Sequence, residues 1–246
     1  HEVGAEAAVP LFPYLRLFTK VSAAMRLKTL LYAALFRPFR AVSFDIFDTL
    51  LERDVDTPTE VFVRAGDIVL GPGAGEKFRE ERMDAEREAR TRVENGECTL
   101  EDIYGVLTER GLDGKTAEAL QTQEVRCELN GCFQKTSMKP VFDAALKQGK
   151  LVFLVSDMYL PKEVISGMVA RCGYEGYEDL FVSNDCGVSK RSGKLFGNVL
   201  DAYGLDRKDL VHVGDSIGAD LLGARKAGVF ALPVGRKNRL GRLVKR

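Results

Sequence analysis

The sequence predicts an α/β fold, in which a doubly wound, Rossmann-like parallel sheet carries an inserted all-α cap domain. Five short apolar runs rich in β-branched residues are the predicted strands, at residues 41–47, 151–156, 180–183, 210–213 and 229–234. Helical patterns at residues 161–171, 192–203 and 216–227 alternate with the later strands, as in a sheet covered by helices on both faces. The long interval after the first strand has helical periodicity and no convincing strand, which predicts the inserted domain.

These patterns divide the chain into four predicted parts. They are an amphipathic N-terminal helical segment at residues 1–40, an α/β core at 41–56 and 139–235, a helical cap at 57–138 and a basic tail at 236–246. Within the cap, Thr99 followed by Asp102 is typical of a capping box at a helix start. The run of Glu and Arg at residues 76–92 is expected to be a solvated helix face.

Composition excludes several classes of function. Lys and Arg number 36 and so do Asp and Glu, so no net field favours nucleic acid as a partner. Five cysteines without CxxC spacing indicate free thiols in a reducing compartment, so we expect a cytoplasmic protein. Only two histidines are present, His1 and His212, which leaves almost no material for triads or multi-histidine zinc sites. Catalysis is therefore expected to use carboxylates, hydroxyls and amines.

The N-terminal segment leaves two interpretations open. Residues 11–36 are rich in Leu, Phe and Ala but contain four basic residues, too many for a membrane span. One interpretation is a helix packed on the core or leading from a neighbouring domain, because the sequence begins with His1 rather than Met and suggests a larger multidomain chain. The other is peripheral contact with the inner face of a membrane, to which the basic tail at 236–246 would add.

Polar residues follow four of the predicted strands, at the edge where such sheets bind ligands. They are Asp45, Asp48 and Thr49 after the first strand, Ser156 and Asp157 after the second, Lys190 after the third, and Asp215 and Asp220 after the fourth. Converging aspartates repel one another, and a hard divalent cation such as Mg²⁺ relieves that repulsion. Asp45 would then be able to attack phosphorus, while Ser156 and Lys190 stabilise the charge on the phosphoryl oxygens.

Four segments carrying these residues resemble motifs one to four of the haloacid dehalogenase superfamily, in order. They are FDIFDTL at 44–50, LVSD at 154–157, GVSKRSGKLF at 187–196 and VGDSIGADLLGARKAG at 213–228. The resemblance covers residues 41–234, and the position of the insertion is similar to that of the branch whose helical cap follows the first strand.

The resemblance implies specific roles. Asp45 would be the nucleophile, and magnesium would be held by Asp45, the Phe47 carbonyl and Asp215, with Asp220 near the outer shell of the metal. Ser156 and Lys190 would hold the substrate phosphate. Lys194 is expected to face solvent.

The sequence departs from the superfamily pattern at one position that concerns proton transfer. Phosphatases of this superfamily have a second aspartate two positions after the nucleophile, where this chain has Phe47. Asp48, one position further on, either replaces that general acid or stabilises the turn. Arg53 either contacts the substrate or forms a salt bridge at the cap hinge. Asp157 either borders the leaving group or caps a turn, and Thr49 is included among the substrate-binding residues.

We therefore expect a magnesium-dependent phosphomonoester hydrolase with an aspartyl-phosphate intermediate and a small phosphorylated substrate. SFDIFDTLLER and VSDMYLP also resemble domains found beside or fused to glycosyltransferases of bacterial surface-polysaccharide synthesis, which implies a sugar or polyol phosphate. Two alternatives stay open: a catalytically inactive scaffold domain of a polysaccharide-synthesis enzyme, and a dehalogenase-type hydrolase. A phosphoacceptor receiver domain is excluded by the order of its motifs.

Overall fold

The structure, a computed structural model, describes residues 12–235 and the side chains from residue 22 onward. The strands are β1 Ala41–Phe44, β2 Leu51–Arg53, β3 Cys132–Gln134, β4 Leu151–Ser156, β5 Asp179–Val182, β6 Leu210–Gly214 and β7 Phe230–Pro233. The helices are α1 Phe12–Phe36, α2 Glu60–Leu70, α3 Gly75–Arg92, α4 Leu100–Glu109, α5 Gly114–Gly131, α6 Lys139–Lys147, α7 Lys162–Arg171, α8 Ser183–Cys186, α9 Lys194–Tyr203 and α10 Leu222–Lys226, the last preceded by a π-helical turn at Ile217–Leu221. The predicted basic tail lies outside the described residues.

Five strands form the central sheet, in the order β5-β4-β1-β6-β7 with every neighbouring pair parallel. All five predicted strands are present, and the doubly wound α/β fold is confirmed. β1 is the central strand and every one of its residues is buried, as its continuous apolar run requires. The chain order reverses between β1 and β6, so the carboxyl ends of these two strands flank the crevice where ligands bind in such sheets.

Helix α1 packs on the core through its last turns. Phe36 is fully buried, and the Tyr32 hydroxyl donates a hydrogen bond to the Pro233 carbonyl at 2.8 Å. Gln148, after α6, donates to the Ala33 carbonyl at 2.8 Å. The described part of the N-terminal segment is therefore one helix that belongs to the core. Among residues 12–235, no helix combines the length and hydropathy that crossing a bilayer requires.

A small antiparallel pair, β2 with β3, is a feature that the sequence did not indicate. Leu51 pairs with Gln134 and Arg53 pairs with Cys132, so the chain enters and leaves the helical insertion through two adjacent strands. Helices α2 to α5 lie between them and match the predicted helical character of the cap, and the capping box at Thr99 and Asp102 is present. The predicted helical cap at residues 57–138 also contains the three-residue strand β3 near its end. The domain limits themselves stay a prediction.

The Glu and Arg run of α3 is not only a solvated face, contrary to the sequence-based expectation. Arg82 is fully buried and forms two hydrogen bonds of 2.9 Å to the Glu124 carboxylate on α5. The guanidinium lies over the rings of Phe62, at 4.6 Å, and Tyr159, at 4.7 Å. Because Tyr159 follows β4 of the sheet, this buried charge joins the cap helices to the core.

We predict that Arg82→Met lowers the free energy of unfolding by about 3–5 kcal/mol, because it leaves the buried Glu124 carboxylate without its cation. Adding Glu124→Gln to that variant should restore part of the loss. Arg87→Met is the matched control, since Arg87 and its partner Asp84 are exposed, and it should cost less than about 1 kcal/mol. Denaturant unfolding measures the free energy of unfolding of the three variants. An equal loss in Arg82→Met and Arg87→Met would contradict the role of Arg82 as a buried, paired charge.

Candidate active site

Three aspartates meet at the carboxyl edge of the sheet. Asp45 directly follows β1, is 6% exposed, and its backbone N–H donates to the Val213 carbonyl of β6 at 2.9 Å. Asp215 follows β6, and Asp220 lies in the π-helical turn after it. One carboxylate oxygen from each aspartate lies within 4.8 Å of the other two. The predicted convergence of these three residues is therefore present in the structure.

The Lys190 side chain lies between two of these carboxylates. Its buried ammonium is 2.5 Å from Asp45 Oδ1 and 2.6 Å from Asp220 Oδ1. The backbone N–H of Lys190 donates to Asp157 Oδ1 at 2.7 Å, so Asp157 positions the loop that carries the lysine. Lys194, four residues later, is exposed as expected. The structure thus separates the two lysines of this segment into one at the site and one in solvent.

His212 lies in the predicted strand at 210–213 and contacts the site through Asp220. It is fully buried, with Nε2 3.1 Å from Asp220 Oδ1 and Nδ1 2.8 Å from Ser43 Oγ. An ionised carboxylate only accepts hydrogen bonds, so Nε2–H donates to Asp220 and the Ser43 hydroxyl donates to Nδ1. The Ser216 backbone N–H donates to the other oxygen of Asp220 at 2.8 Å. Asp220 is therefore held from several sides.

Charge and burial separate the pKa values of the aspartates. Burial raises the pKa of Asp45 to about 7, with Lys190 opposing and Asp220 and Asp215 adding to the shift. Burial also acts to raise the pKa of Asp220, but Lys190 and His212 outweigh it and hold that pKa well below its usual range. The two carboxylates raise the pKa of Lys190 against the effect of burial. Lys190 and Asp220 are thus charged at neutral pH.

Two glycines make this close packing possible. A Cβ at Gly214 would lie 2.3 Å from the Asp220 Cγ, and a Cβ at Gly223 would lie 2.1 Å from the Lys190 carbonyl oxygen. Real Cβ atoms do not approach other atoms so closely, so any side chain at these positions would displace Asp220 or the Lys190 loop. The glycines of the fourth motif therefore position the charged residues of the site.

The turn after Asp45 presents its polar residues differently. Thr49 is fully buried and its hydroxyl has no hydrogen-bond partner among the described residues. Asp48 is exposed, has a left-handed backbone (φ 61°), and its carbonyl accepts a 2.5 Å hydrogen bond from the Lys135 ammonium. Ser156, the last residue of β4, is buried at the same edge of the sheet. The carboxylate of Asp48 does not belong to the three-aspartate cluster.

A cavity of about 440 Å³ lies between the sheet edge and the cap. Its lining includes Phe47, Arg53, Phe62, Glu86, Glu128 and Asp157. The Arg53 guanidinium donates to Glu128 of α5 at 3.0 Å and lies 4.1 Å above the Phe47 ring. Arg53 therefore forms the salt bridge at the cap hinge, one of its two predicted roles, and also borders the cavity. We call this space the cap cavity.

The donor set fits a magnesium ion. With all three aspartates ionised, the charges of the cluster sum to minus two after Lys190 is counted, and His212 is neutral because burial lowers its pKa. A divalent cation neutralises that excess, and Mg²⁺ binds carboxylate and carbonyl oxygens. Asp45, the Phe47 carbonyl and Asp215 could hold such an ion, whereas the Asp220 carboxylate already contacts Lys190, His212 and Ser216.

Sequence reasoning missed three residues that support the site. His212 contacts Asp220, Lys135 contacts the turn after Asp45, and Glu128 holds Arg53. The sequence contains one signal for His212. It is a titratable residue in a buried strand, close to the end where ligands bind, so its side chain faces either the core or the ligand edge. Lys135 and Glu128 offered none, since their partners lie far away in the sequence.

We predict that Lys190→Met destabilises the protein more at pH 8 than at pH 5. Without the cation the folded-state pKa of Asp45 rises further above its unfolded value and that of Asp220 is no longer held below it, so stability is lost as the pH rises toward the folded pKa values. The loss at pH 8 should be about 3–5 kcal/mol by denaturant unfolding. Lys194→Met, at an exposed position, should change stability by less than about 0.5 kcal/mol. A loss of unfolding free energy that is the same at pH 5 and pH 8 would show that Lys190 contributes only packing.

Comparison with known proteins agrees with the motifs and the fold. The sequence model of haloacid dehalogenase-like hydrolases matches residues 39–228. Comparison with curated proteins gives no sequence match.

Solved structures share the fold at low sequence identity. The magnesium-bound putative HAD-hydrolase YfnB of Bacillus subtilis has a TM-score of 0.57 and 18% identity, with 85% of this chain and 99% of that chain covered. A 2-haloacid dehalogenase of Pseudomonas syringae pv. Tomato DC3000 has a TM-score of 0.56 and 20% identity, covering 82% and 90%. A HAD phosphatase of Thermococcus onnurineus has a TM-score of 0.55 and 18% identity, covering 81% and 88%. By its family match, this chain belongs to the haloacid dehalogenase-like hydrolases.

Proposed function

We propose that this hydrolase is a magnesium-dependent phosphomonoesterase that uses Asp45 as a covalent nucleophile. The observation that carries the proposal is the contact of Lys190 with both Asp45 and Asp220 beside the third carboxylate, Asp215. A cluster with excess negative charge suits a divalent cation and, through that cation, a phosphate. Dehalogenation at carbon needs no metal, so the three clustered carboxylates favour phosphate chemistry over the dehalogenase alternative.

The residues suit a two-step reaction. Asp45 attacks phosphorus, a bond forms from its carboxylate oxygen, and the bond from phosphorus to the substrate oxygen breaks. Lys190 contacts that carboxylate, and Ser156 and the Thr49 hydroxyl lie at the same edge to stabilise phosphoryl oxygens. Mg²⁺, when bound, supplies the charge neutralisation that lets an anionic nucleophile approach an anionic ester. Water then attacks phosphorus, releases phosphate and restores the Asp45 carboxylate.

Proton donation to the leaving oxygen is assigned to Asp157 rather than Asp48. Asp157 lines the cap cavity and is fixed to the Lys190 backbone, whereas Asp48 is exposed on the turn and lines no part of that cavity. A general acid must reach the leaving oxygen, and the leaving group of a substrate in the cap cavity lies beside Asp157. Of the two roles expected for Asp48, this proposal therefore keeps the stabilisation of the turn after Asp45.

The substrate class is a small phosphorylated metabolite. The volume of the cap cavity, about 440 Å³, suits a compact molecule, and the side chains of Arg53, Glu86 and Glu128 offer hydrogen bonds to hydroxyl groups. A sugar or polyol phosphate of surface-polysaccharide synthesis fits these features. The scaffold alternative differs in one measurable respect, because a scaffold would release no phosphate.

We predict that the protein releases phosphate from nitrophenyl phosphate with Mg²⁺, and that chelator abolishes release. Asp45→Asn should reduce turnover at least about 1,000-fold, because an amide is a poor nucleophile, and should leave no acid-stable phosphate on the protein after quenching. Asp54→Asn, an exposed partner of Arg64, is the matched control. Full activity in chelator would exclude the metal, and absence of turnover in the wild-type protein would favour the scaffold.

We predict that Asp157→Asn slows hydrolysis of sugar phosphates by about 100- to 10,000-fold but slows nitrophenyl phosphate much less. An alkoxide leaves only with a proton, whereas nitrophenolate is a good leaving group without one. Asp48→Asn is the matched control and should affect the two substrates alike. Steady-state kinetics on both substrates measure the ratio, and selective loss in Asp48→Asn would return the acid role to Asp48.

A further inference from the structure

Arg53 and Glu128 form a buried ion pair in the wall of the cap cavity. Their side chains are 10% and 2% exposed, and both residues line the cavity. Nε and Nη2 of Arg53 donate to the two carboxylate oxygens of Glu128 at 3.0 and 3.4 Å. The Phe47 ring lies 4.1 Å from the guanidinium and holds it from a second side. We call Arg53 and Glu128 the cavity pair.

The cavity pair keeps part of its hydrogen-bonding capacity free. A guanidinium has five N–H donors, and Glu128 takes one from Nε and one from Nη2. Among the described residues, no acceptor contacts Nη1, so one edge of the guanidinium is open to a ligand in the cavity. Each Glu128 oxygen accepts one hydrogen bond, from Arg53, and a carboxylate oxygen has room for a second. The pair therefore offers donors and acceptors side by side.

The charged side chains of the cavity wall balance one another. Among the described residues, the wall has three arginines and three acids: Arg53, Arg87, Arg90, Glu86, Glu128 and Asp157. Arg90 pairs with Glu86 at 2.8 Å, and Arg87 pairs with Asp84 on the same helix. Each arginine of the wall thus has a carboxylate partner already. A second phosphate or carboxylate on the substrate would find no unpaired arginine on this wall.

Hydroxyl groups match the free positions of the cavity pair, because each hydroxyl both donates and accepts a hydrogen bond. Two hydroxyls on adjacent carbons, a vicinal diol, can accept from the open guanidinium edge and donate to the Glu128 carboxylate. A carboxylate in their place would accept from Arg53 but would meet Glu128 as a like charge. An apolar group would leave the buried donors and acceptors without partners. The diol is therefore the group that satisfies both residues.

We propose that the cavity pair selects substrates whose leaving group carries a vicinal diol, as in phosphate esters of polyols and sugars. This inference rests on the proposed phosphomonoesterase function and names the group by which the substrate is recognised. Phe47 links the pair to the nucleophile, because it lies two residues after Asp45 and its ring contacts Arg53. The diol subsite therefore adjoins the turn that follows Asp45.

Matched substrates test the selection. Two pairs differ in the diol: glycerol 3-phosphate against 3-hydroxypropyl phosphate, and ribose 5-phosphate against 2-deoxyribose 5-phosphate. In at least one pair the diol member should have a kcat/KM about 100-fold higher, because its analogue leaves polar groups of the site unpaired. Turnover of nitrophenyl phosphate without a diol preference in either pair would overturn the inference alone. Absence of turnover with every ester would overturn the proposed function, and the inference with it.

Arg53→Lys tests the guanidinium edge, because lysine keeps the positive charge beside Glu128 but has no planar fork of donors. It should lower the preference for the diol member by about tenfold or more, mainly through a higher KM for that substrate. Arg64→Lys is the matched control, since Arg64 pairs with Asp54 near the same hinge but is 44% exposed, and it should leave the preference unchanged. An unchanged preference in Arg53→Lys would contradict the proposal.

Glu128→Gln tests the charge balance. 3-Phosphoglycerate has a carboxylate in place of the terminal hydroxyl group of glycerol 3-phosphate, and the wild-type protein should prefer glycerol 3-phosphate. Because Glu128→Gln leaves the Arg53 charge unpaired, it should raise the relative kcat/KM for 3-phosphoglycerate by about tenfold or more. Thermal unfolding verifies that each variant is folded, and the wild-type comparison decides the matter if Glu128→Gln is not. A wild-type preference for 3-phosphoglycerate would assign the pair to an anionic group and overturn the proposal.

Discussion

The buried contact of Lys190 with Asp45 and Asp220 is the constraint on which the site depends. The two carboxylates come from different elements, one after β1 and one from the π-helical turn after β6, and they are adjacent only with a cation between them. The surrounding structure serves that arrangement: Asp157 holds the Lys190 backbone, and Gly214 lets Asp220 approach the end of β6. Burial in the same cluster raises the pKa of Asp45 against the opposing effect of Lys190.

The sheet and the main site residues could be predicted because both depend on local patterns. A buried parallel strand is a continuous apolar run, and polar residues directly after several such strands necessarily meet at one edge of the sheet. The β2 and β3 pair could not be predicted, since each strand has three residues and Glu52 and Arg53 interrupt any apolar pattern. Its pairing joins segments on either side of the cap, and that proximity exists only after the cap has folded.

Buried charges account for most of the remaining errors. In α3 the spacing of Glu and Arg is typical of a solvated helix, and it gives no sign that α5 presents Glu124 to Arg82. His212 is likewise apolar in its sequence context, although Asp220 and Ser43 give it two polar contacts. In each case the partner is supplied by another element, so the residue type alone cannot distinguish a solvated charge from a paired buried one. Arg82 matters further because Tyr159 of the core packs on its guanidinium and joins cap to sheet.

The distribution of charge has consequences that the net charge conceals. Under the proposed phosphomonoesterase function, the acidic site would repel the substrate until a cation is bound, and the negative charge that attracts the cation is the charge that the cation would neutralise. The acidic character extends beyond the site, because residues 45–235 contain 24 Lys and Arg against 34 Asp and Glu.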